Sequence, residues 1–239
     1  MTIKWTNTRT DDPRPLRILL HGESGAGKTH LARTVPDPSR CLLAMVEDGA
    51  LSLADVDMPA ARILRSADLD EVCKVLASSK GKAVDWLYVD SITAWAEMIL
   101  HEELAATPDP RRAYGGMQDR VKRWLAGTMA TMPQHVVCTA KQERIQSDTN
   151  KRTMHVPNMP GQTLTHKSPI AHDFDAVWCL QVREDSDGTA QRWIQTQLAA
   201  DPGNLAKTRD PWGRVQPWES PDLAAIAAKL CTHPQQESA

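Results

Sequence analysis

Eight consecutive residues near the start of the chain have the types and the spacing that bind phosphate. They read Gly-Glu-Ser-Gly-Ala-Gly-Lys-Thr and fit the pattern GxxxxGK[ST]. Glycines let successive backbone N–H groups turn toward phosphate oxygens, and the start of a helix adds partial positive charge. The lysine reaches the β- and γ-phosphates, and the threonine hydroxyl suits Mg²⁺. The pattern predicts a nucleotide site formed by Gly22, Glu23, Ser24, Gly25, Ala26, Gly27, Lys28 and Thr29.

A second candidate for the metal lies further along the chain. The apolar run VDWLYV leads directly into Asp90, which Ser91 follows. In open parallel sheets, ligands bind at the carboxyl ends of the strands, so a carboxylate there faces the bound nucleotide. We therefore expect Asp90 to hold Mg²⁺ together with Thr29.

Short apolar strands and amphipathic helices must position these residues. Leu16–His21 predicts the strand before the phosphate loop, and a helix is expected from Lys28 that ends before Pro36. Further strands are predicted at residues 41–46, 62–65, 84–89, 135–140, 176–182 and 191–197, and helices after residues 66, 91, 117 and 220. Alternation of this kind predicts an α/β fold with a mostly parallel central sheet flanked by helices. The last two strands predict a hairpin at the sheet edge.

Length and composition favour one globular domain. The chain has 239 residues, of which 41% are hydrophobic and 24% are charged, so it is not a wholly disordered protein. We expect a flexible arm over residues 1–15, a single core over 16–232 and a frayed tail over 233–239. Residues 107–116 read as a loop rich in proline, arginine and glycine. Residues 144–172 lack a periodic pattern and predict a mobile loop.

Targeting signals and metal motifs are not evident in the sequence. The longest apolar runs have six residues, whereas a membrane span needs about 20, and the N-terminus has no apolar signal region. Five scattered cysteines without a CxxC motif predict reduced thiols, and no Cys/His pattern has zinc-like spacing. These features predict a cytoplasmic protein without a membrane partner. The net charge of −2 means that any surface for nucleic acid must be local.

Residues 41–99 resemble the corresponding stretch of RecA-type recombinases. The strand CLLAMV ends at Glu47, and the resemblance implies that Glu47 activates the attacking water, with Asp48 as the alternative. The strand HVVCTAKQ ends at Gln142, which the resemblance implies is the sensor of the γ-phosphate and the start of a second DNA-binding loop. The resemblance extends over residues 16–215 and implies a RecA-like fold for the core.

A cationic motif near the C-terminus extends the resemblance. Lys207-Thr-Arg209 is similar to the Lys-x-Arg motif of RadA- and DnaB-like relatives, in which these cations reach the γ-phosphate of a neighbouring subunit. The motif implies a homo-oligomer, either a ring or a filament, in which each ATP site is completed in trans.

The segment after Gln142 has the composition of a loop that binds single-stranded DNA. Residues 144–172 contain four cations and one acidic residue, and such binding is largely phosphate neutralisation with base stacking. A first DNA loop is expected near residue 114, where a tyrosine could stack on a base. The DNA-binding candidates are Arg111, Arg112, Tyr114, Arg144, Lys151, Arg152, His166 and Lys167.

About 15 residues precede the first strand, and this short core resembles the phage core-only RecA-like ATPases. The resemblance implies a Mg²⁺-dependent, DNA-stimulated ATPase that promotes strand annealing or exchange in phage homologous recombination. It also implies an association with a single-stranded DNA-binding protein in the bacterial host cytoplasm.

Other functions remain open from the sequence alone. A small-molecule or nucleotide kinase would use Arg111, Arg112 or the long loop as a lid. An ATP-dependent assembly switch would bind no DNA. A helicase motor ranks lower because no accessory unwinding domain is evident.

Overall fold

A computed structural model of the chain describes residues 14–146, 153–161, 170–184 and 187–232. Its strands are β1 (Arg17–His21), β2 (Cys41–Met45), β3 (Ala60–Arg62), β4 (Trp86–Asp90), β5 (His135–Ala140), β6 (Gln142–Gln146), β7 (Thr153–Pro157), β8 (Ala176–Glu184), β9 (Ala190–Gln195), β10 (Lys207–Thr208) and β11 (Trp218–Glu219). Its α-helices are α1 (Ser66–Ala77), α2 (Ile92–Ala106), α3 (Pro110–Arg123) and α4 (Leu223–Cys231). A π-helical segment, Trp124–Met129, extends α3.

The central sheet has nine strands and is parallel at its centre. Its order is β11-β9-β8-β1-β5-β4-β2-β3, and β10 pairs with the start of β8. The six strands from β8 to β3 in this order run parallel, while β9, β10 and β11 are antiparallel additions. The predicted α/β fold with a mostly parallel sheet and a late hairpin is confirmed. Because parallel strands end at the same edge, the residues that follow β1, β2, β4 and β5 are brought together there.

Helices cover both faces of this sheet. Leu69 of α1, Trp95 of α2 and Met117 of α3 are buried on one face. Leu31 of the short 3₁₀ helix His30–Thr34 and Ile226 of α4 are buried on the other face. Strand β1 is buried at all five positions, which explains why its sequence is a continuous apolar run apart from Arg17 and His21.

Three predicted boundaries are wrong by a few residues. The helix after the phosphate loop begins at His30 rather than Lys28 and is a 3₁₀ helix, His30–Thr34, which ends before Pro36. The third strand lies at Ala60–Arg62 rather than at residues 62–65. The last helix begins at Leu223, where the Asp222 side chain accepts a hydrogen bond from the Ala225 N–H at 3.0 Å.

The predicted loop over residues 107–116 is wrong in its second half. Helix α3 begins at Pro110, and the Asp109 side chain accepts a hydrogen bond from the Arg111 N–H at 3.0 Å. Proline is tolerated in the first turn of a helix because its missing N–H would have no helical partner there. The prolines and glycines of this stretch therefore lie in and beside a helix.

The predicted mobile loop over residues 144–172 contains regular structure. Strands β6 and β7 form a separate antiparallel hairpin in which Arg144 lies opposite His155. The expectation of an irregular segment is therefore wrong for residues 144–146 and 153–157. Residues 147–152 and 162–169 lie outside the described part of the chain, as do most of the predicted arm and the tail over 233–239. Within the described ranges, no helix has the length and apolar character needed to cross a membrane.

Candidate nucleotide-binding site

A cleft of about 1090 Å³ lies at the carboxyl edge of the parallel strands. Its lining comes from the phosphate loop, from the ends of β2, β4 and β5, from the hairpin of β6 and β7, and from β9. The lining residues include Gly22, Glu23, Ser24, Gly25, Gly27, Lys28, Thr29, Glu47, Asp48, Asp90, Lys141, Gln142, Arg144, His155 and Arg192. The structure therefore brings together the phosphate loop, both candidate bases, the candidate metal ligand and the candidate sensor.

The phosphate loop has the backbone that its glycines predict. Gly25 and Gly27 have φ angles of 79° and 101°, a conformation that side chains with a β-carbon rarely adopt. The Lys28 ammonium group donates hydrogen bonds to the carbonyl oxygens of Gly22 at 2.8 Å and Glu23 at 2.9 Å. Burial lowers the pKa of Lys28, while the negative charges of Asp90 and Glu47 oppose that change. The lysine is thus held across the loop.

The two predicted metal ligands are in direct contact. The Thr29 hydroxyl donates to Asp90 Oδ2 at 2.5 Å, and the Thr139 hydroxyl donates to Asp90 Oδ1. A β-carbon at Gly49 would lie 3.2 Å from Thr29 Oγ1 and 3.5 Å from Asp90 Oδ2. A glycine here therefore keeps open the space beside both oxygens. Hydroxyl and carboxylate oxygens are the ligands that Mg²⁺ prefers, so these residues fit the metal.

Protein side chains alone do not form a complete metal site. Within the described ranges, no group of three or more His, Cys, Asp or Glu residues is arranged to hold an ion. A metal at Thr29 and Asp90 would therefore need further ligands from the nucleotide phosphates or from water.

The two candidate bases differ in their surroundings. Glu47 Oε2 accepts a hydrogen bond from the Ser91 hydroxyl at 2.7 Å, and Glu47 Oε1 lies 3.4 Å from the ammonium group of Lys141. Asp48 has a side chain that is 84% exposed, and Asp48 Oδ1 contacts Arg62 at 3.3 Å. Glu47 is fixed by neighbours from β4 and β5, whereas Asp48 faces solvent.

The junction between β5 and the hairpin is held at several points. The Lys141 N–H donates to the Thr93 hydroxyl oxygen at 3.0 Å, and its carbonyl accepts from the Asn158 N–H at 2.8 Å. The Lys141 ammonium group also donates to Glu97 at 2.8 Å. Gln142, the next residue, opens β6 and lines the cleft. The base of the hairpin is therefore tied both to helix α2 and to Glu47.

A buried histidine connects the phosphate loop to a distant segment. His21 is the last residue of β1 and is fully buried, and its Nε2 lies 2.7 Å from the carbonyl oxygen of Leu205. Burial lowers the pKa of His21 to about 4, so the ring is neutral at pH 7 and carries its proton on Nε2. Leu205 precedes Lys207 by two residues, so this hydrogen bond joins the end of β1 to the segment that contains Lys207.

A family model described as an AAA domain matches residues 14–209. The chain belongs to this AAA domain family. In a comparison with curated proteins, no match was found. Membership supports a nucleotide-binding ATPase of the phosphate-loop class, which generally uses ATP and Mg²⁺. This agrees with the phosphate loop predicted from the sequence.

Lys207 and Arg209 lie outside the cleft of this AAA domain, toward the start of β8. Lys207 pairs with Val177 at the start of β8, whereas the phosphate loop follows the end of the neighbouring strand β1. The Arg209 guanidinium contacts Asp175 Oδ1 at 3.2 Å, and Arg14 also binds that carboxylate. Neither cation therefore lines the cleft of its own chain.

The candidate DNA residues occupy two adjoining parts of the AAA domain. Arg111, Arg112 and Tyr114 are exposed on the first turns of α3. A β-carbon at Gly161 would lie 3.0 Å from Cδ1 of Tyr114, so α3 meets the segment that follows the hairpin. Arg144 lines the nucleotide cleft. Lys151, Arg152, His166 and Lys167 lie outside the described residues.

Sequence reasoning missed several groups of the site. Ser91, Thr139 and Lys141 lie at or just after the carboxyl ends of predicted strands, and this position indicates that they are near the site. Arg192 also lines the cleft, although it lies on the late hairpin. Nothing in its local sequence indicates a contact with the phosphate loop.

Proposed function

We propose that this AAA domain is a RecA-like ATPase that binds single-stranded DNA and promotes strand annealing or exchange in phage homologous recombination. The observation that carries the proposal is the hairpin of β6 and β7. Its residues Gln142, Arg144 and His155 line the nucleotide cleft, and the sequence between its strands contains Lys151 and Arg152. One element thus links the cleft to a cationic segment suited to a nucleic acid backbone.

Hydrolysis follows from the groups around the cleft. The loop N–H groups and Lys28 bind the phosphates of ATP, and Thr29 and Asp90 would hold Mg²⁺, which supplies charge neutralisation when it is bound. Glu47 accepts a proton from the attacking water. The water oxygen bonds to the γ-phosphorus and the bond to the β-phosphate oxygen breaks, which yields ADP and inorganic phosphate.

Coupling to DNA follows from the junction at Lys141. Its peptide is hydrogen-bonded to Thr93 and Asn158, so a displacement of the hairpin is transmitted to Lys141 and Gln142. Lys141 in turn contacts Glu47. DNA bound to the hairpin would therefore change the surroundings of both the sensor and the base.

A second copy of the chain would complete the site. Lys207 and Arg209 lie away from their own cleft, and cations aimed at the transferred phosphate stabilise the charge of the transition state. We therefore propose a ring or filament in which these two residues reach the neighbour's ATP. A single-stranded DNA-binding protein is the proposed partner on the same substrate.

The test is ATP hydrolysis by the purified protein with and without single-stranded DNA, at low and moderate salt. We expect stimulation by DNA that weakens as salt rises, because the logarithm of the affinity falls by about 0.7 per phosphate contact for each tenfold rise in salt concentration. The variant Lys28→Ala, which removes the phosphate-binding ammonium group, is the control for contaminating ATPases.

Other outcomes of this test favour the alternatives. Turnover that depends on a small acceptor and ignores DNA supports a kinase. Nucleotide-dependent assembly without DNA affinity at low salt supports an assembly switch.

A further inference from the structure

Arg192 is a cation that reaches the phosphate loop from a distant part of the same chain. It lies on β9 opposite Val182, in the antiparallel part of the sheet. Its Nε–H donates to the carbonyl oxygen of Ala26 at 3.1 Å. The side chain also lines the nucleotide cleft, together with Lys28 and Thr29.

The phosphate loop accommodates this side chain closely at Gly27. A β-carbon at Gly27 would lie 3.0 Å from Arg192 Nε and 3.4 Å from its Cδ. Gly27 therefore has two reasons to be glycine, its φ of 101° and the side chain that lies against it. Arg192 is packed against the part of the loop that immediately precedes Lys28.

The charge of Arg192 has no carboxylate partner within the described residues. Another long cation of the cleft wall, Lys141, pairs with Glu47 and Glu97. A guanidinium group carries five N–H donors, and the contact with Ala26 uses only the one on Nε. No described residue bonds to the two terminal nitrogens, and their planar fork matches phosphate oxygens.

We infer that Arg192 is a nucleotide-binding residue supplied in cis, whose terminal guanidinium nitrogens contact phosphate oxygens of the nucleotide in the cleft. The residue differs from Lys207 and Arg209, which do not line the cleft. The inference rests on the proposed binding of ATP and is independent of DNA binding.

Equilibrium binding of a fluorescent ATP analogue, at two salt concentrations, tests this inference. The variants are Arg192→Gln and Arg192→Lys, and the matched control is Arg183→Gln. Arg183 lies on β8, the strand that pairs with β9, but its guanidinium carbon is 3.5 Å from the centre of the Trp218 ring. Because Arg192 and Arg183 are both exposed, we expect each variant to fold, and thermal unfolding checks this.

We expect Arg192→Gln to weaken binding about tenfold or more, since hydrogen bonds to charged groups are the stronger ones. Its affinity should also depend less on salt, because one ionic contact is lost. Arg192→Lys keeps the charge but loses the planar fork, so it should lose less affinity than Arg192→Gln, and Arg183→Gln should stay within about twofold of the parent.

Two results would overturn the inference while leaving ATP binding intact. Equal losses of ATP affinity in Arg192→Gln and Arg192→Lys, with unchanged salt dependence, would mean that Arg192 only supports the phosphate loop through the Ala26 carbonyl. Unchanged affinity in Arg192→Gln would remove it from the site. A parent protein that binds no ATP would instead overturn both this inference and the proposed function.

Discussion

The nucleotide cleft and the outer cations of this AAA domain are built in different ways. Several groups of the cleft are held by another part of the same chain, as Asp90 is by Thr29 and Thr139. Lys207 and Arg209 lie at the far end of β8, and Arg111 and Arg112 are exposed on α3. These cleft groups are held within the chain, whereas the proposed targets of the outer cations lie in a second molecule.

This difference separates ATP binding, which should depend on one chain, from turnover and DNA binding, which should depend on a second molecule. The cleft should bind ATP in a single isolated chain. ATP turnover should depend on Lys207 and Arg209 contacting a neighbouring chain. DNA binding should depend on the exposed cations of α3 contacting a DNA strand. Four predictions test this division.

The largest expected effect is on the base inside the cleft. Glu47→Gln should reduce ATP turnover at least about 100-fold, because it removes the proton acceptor, while ATP binding stays within a few-fold of the parent. Single-turnover hydrolysis and equilibrium binding measure the two quantities. Asp48→Asn is the control and should change turnover less than about twofold, because Asp48 is exposed. A large loss in Asp48→Asn alone would transfer the role to Asp48.

The second effect concerns a cation outside the cleft. Arg209→Ala should lower turnover about 100-fold without weakening ATP binding to an isolated chain, because its target is the neighbour's phosphate. Mixing it with Glu47→Gln should restore activity, since some interfaces then join an intact Glu47 to an intact Arg209. The control is Arg14→Ala, which also loses a contact with Asp175. Mixtures that stay inactive would contradict a site shared between subunits.

The third effect is on the pH dependence of stability, through His21 at the cleft end of the sheet. His21 has a pKa of about 4 in the folded protein and about 6.5 in an unfolded chain. Below pH 6.5 the unfolded chain binds the extra proton, so stability falls as the pH decreases toward 4. The loss between pH 7 and pH 5 should be about 2 kcal/mol.

Urea unfolding at pH 7 and pH 5 measures this loss. His21→Gln should reduce the difference between the two pH values by about that amount, even if it is less stable at both. His172→Gln, at an exposed position, should leave the difference unchanged. An equal pH dependence in His21→Gln and the parent would show that His21 titrates normally.

The smallest effect is expected on α3. Tyr114→Ala should weaken binding of single-stranded DNA about fivefold, as expected for one lost base stack, and leave ATP affinity unchanged. Tyr114→Phe keeps the aromatic ring and should bind DNA like the parent. Fluorescence anisotropy of a labelled oligonucleotide measures both. Unchanged affinity in Tyr114→Ala would remove α3 from the DNA surface.

The arrangement of the cleft could be predicted because it depends on strand ends. Glu47, Asp90 and Gln142 each follow an apolar run, and the ends of parallel strands share one edge of a sheet. The structure places all three in one cleft with the phosphate loop. Their chemical roles remain predictions that the variants above test.

The start of α3 could not be predicted because prolines and glycines in a short stretch are typical of turns. Gly116 is helical, and a β-carbon there would lie 2.6 Å from a carboxylate oxygen of Glu103. This glycine allows α2 and α3 to approach closely, a tertiary reason that a local pattern does not contain. The contact of Arg192 with Ala26 likewise joins residues 166 positions apart.

The carboxylate of Asp175 has a consequence for how subunits would assemble. It accepts the Arg17 N–H at 3.0 Å and binds both Arg14 and Arg209, although its side chain is only 9% exposed. If Arg209 turns toward a neighbouring subunit, Arg14 and the Arg17 N–H still satisfy Asp175. Joining a ring or filament would therefore exchange one ionic partner of Arg209 for another and leave no buried charge without a partner.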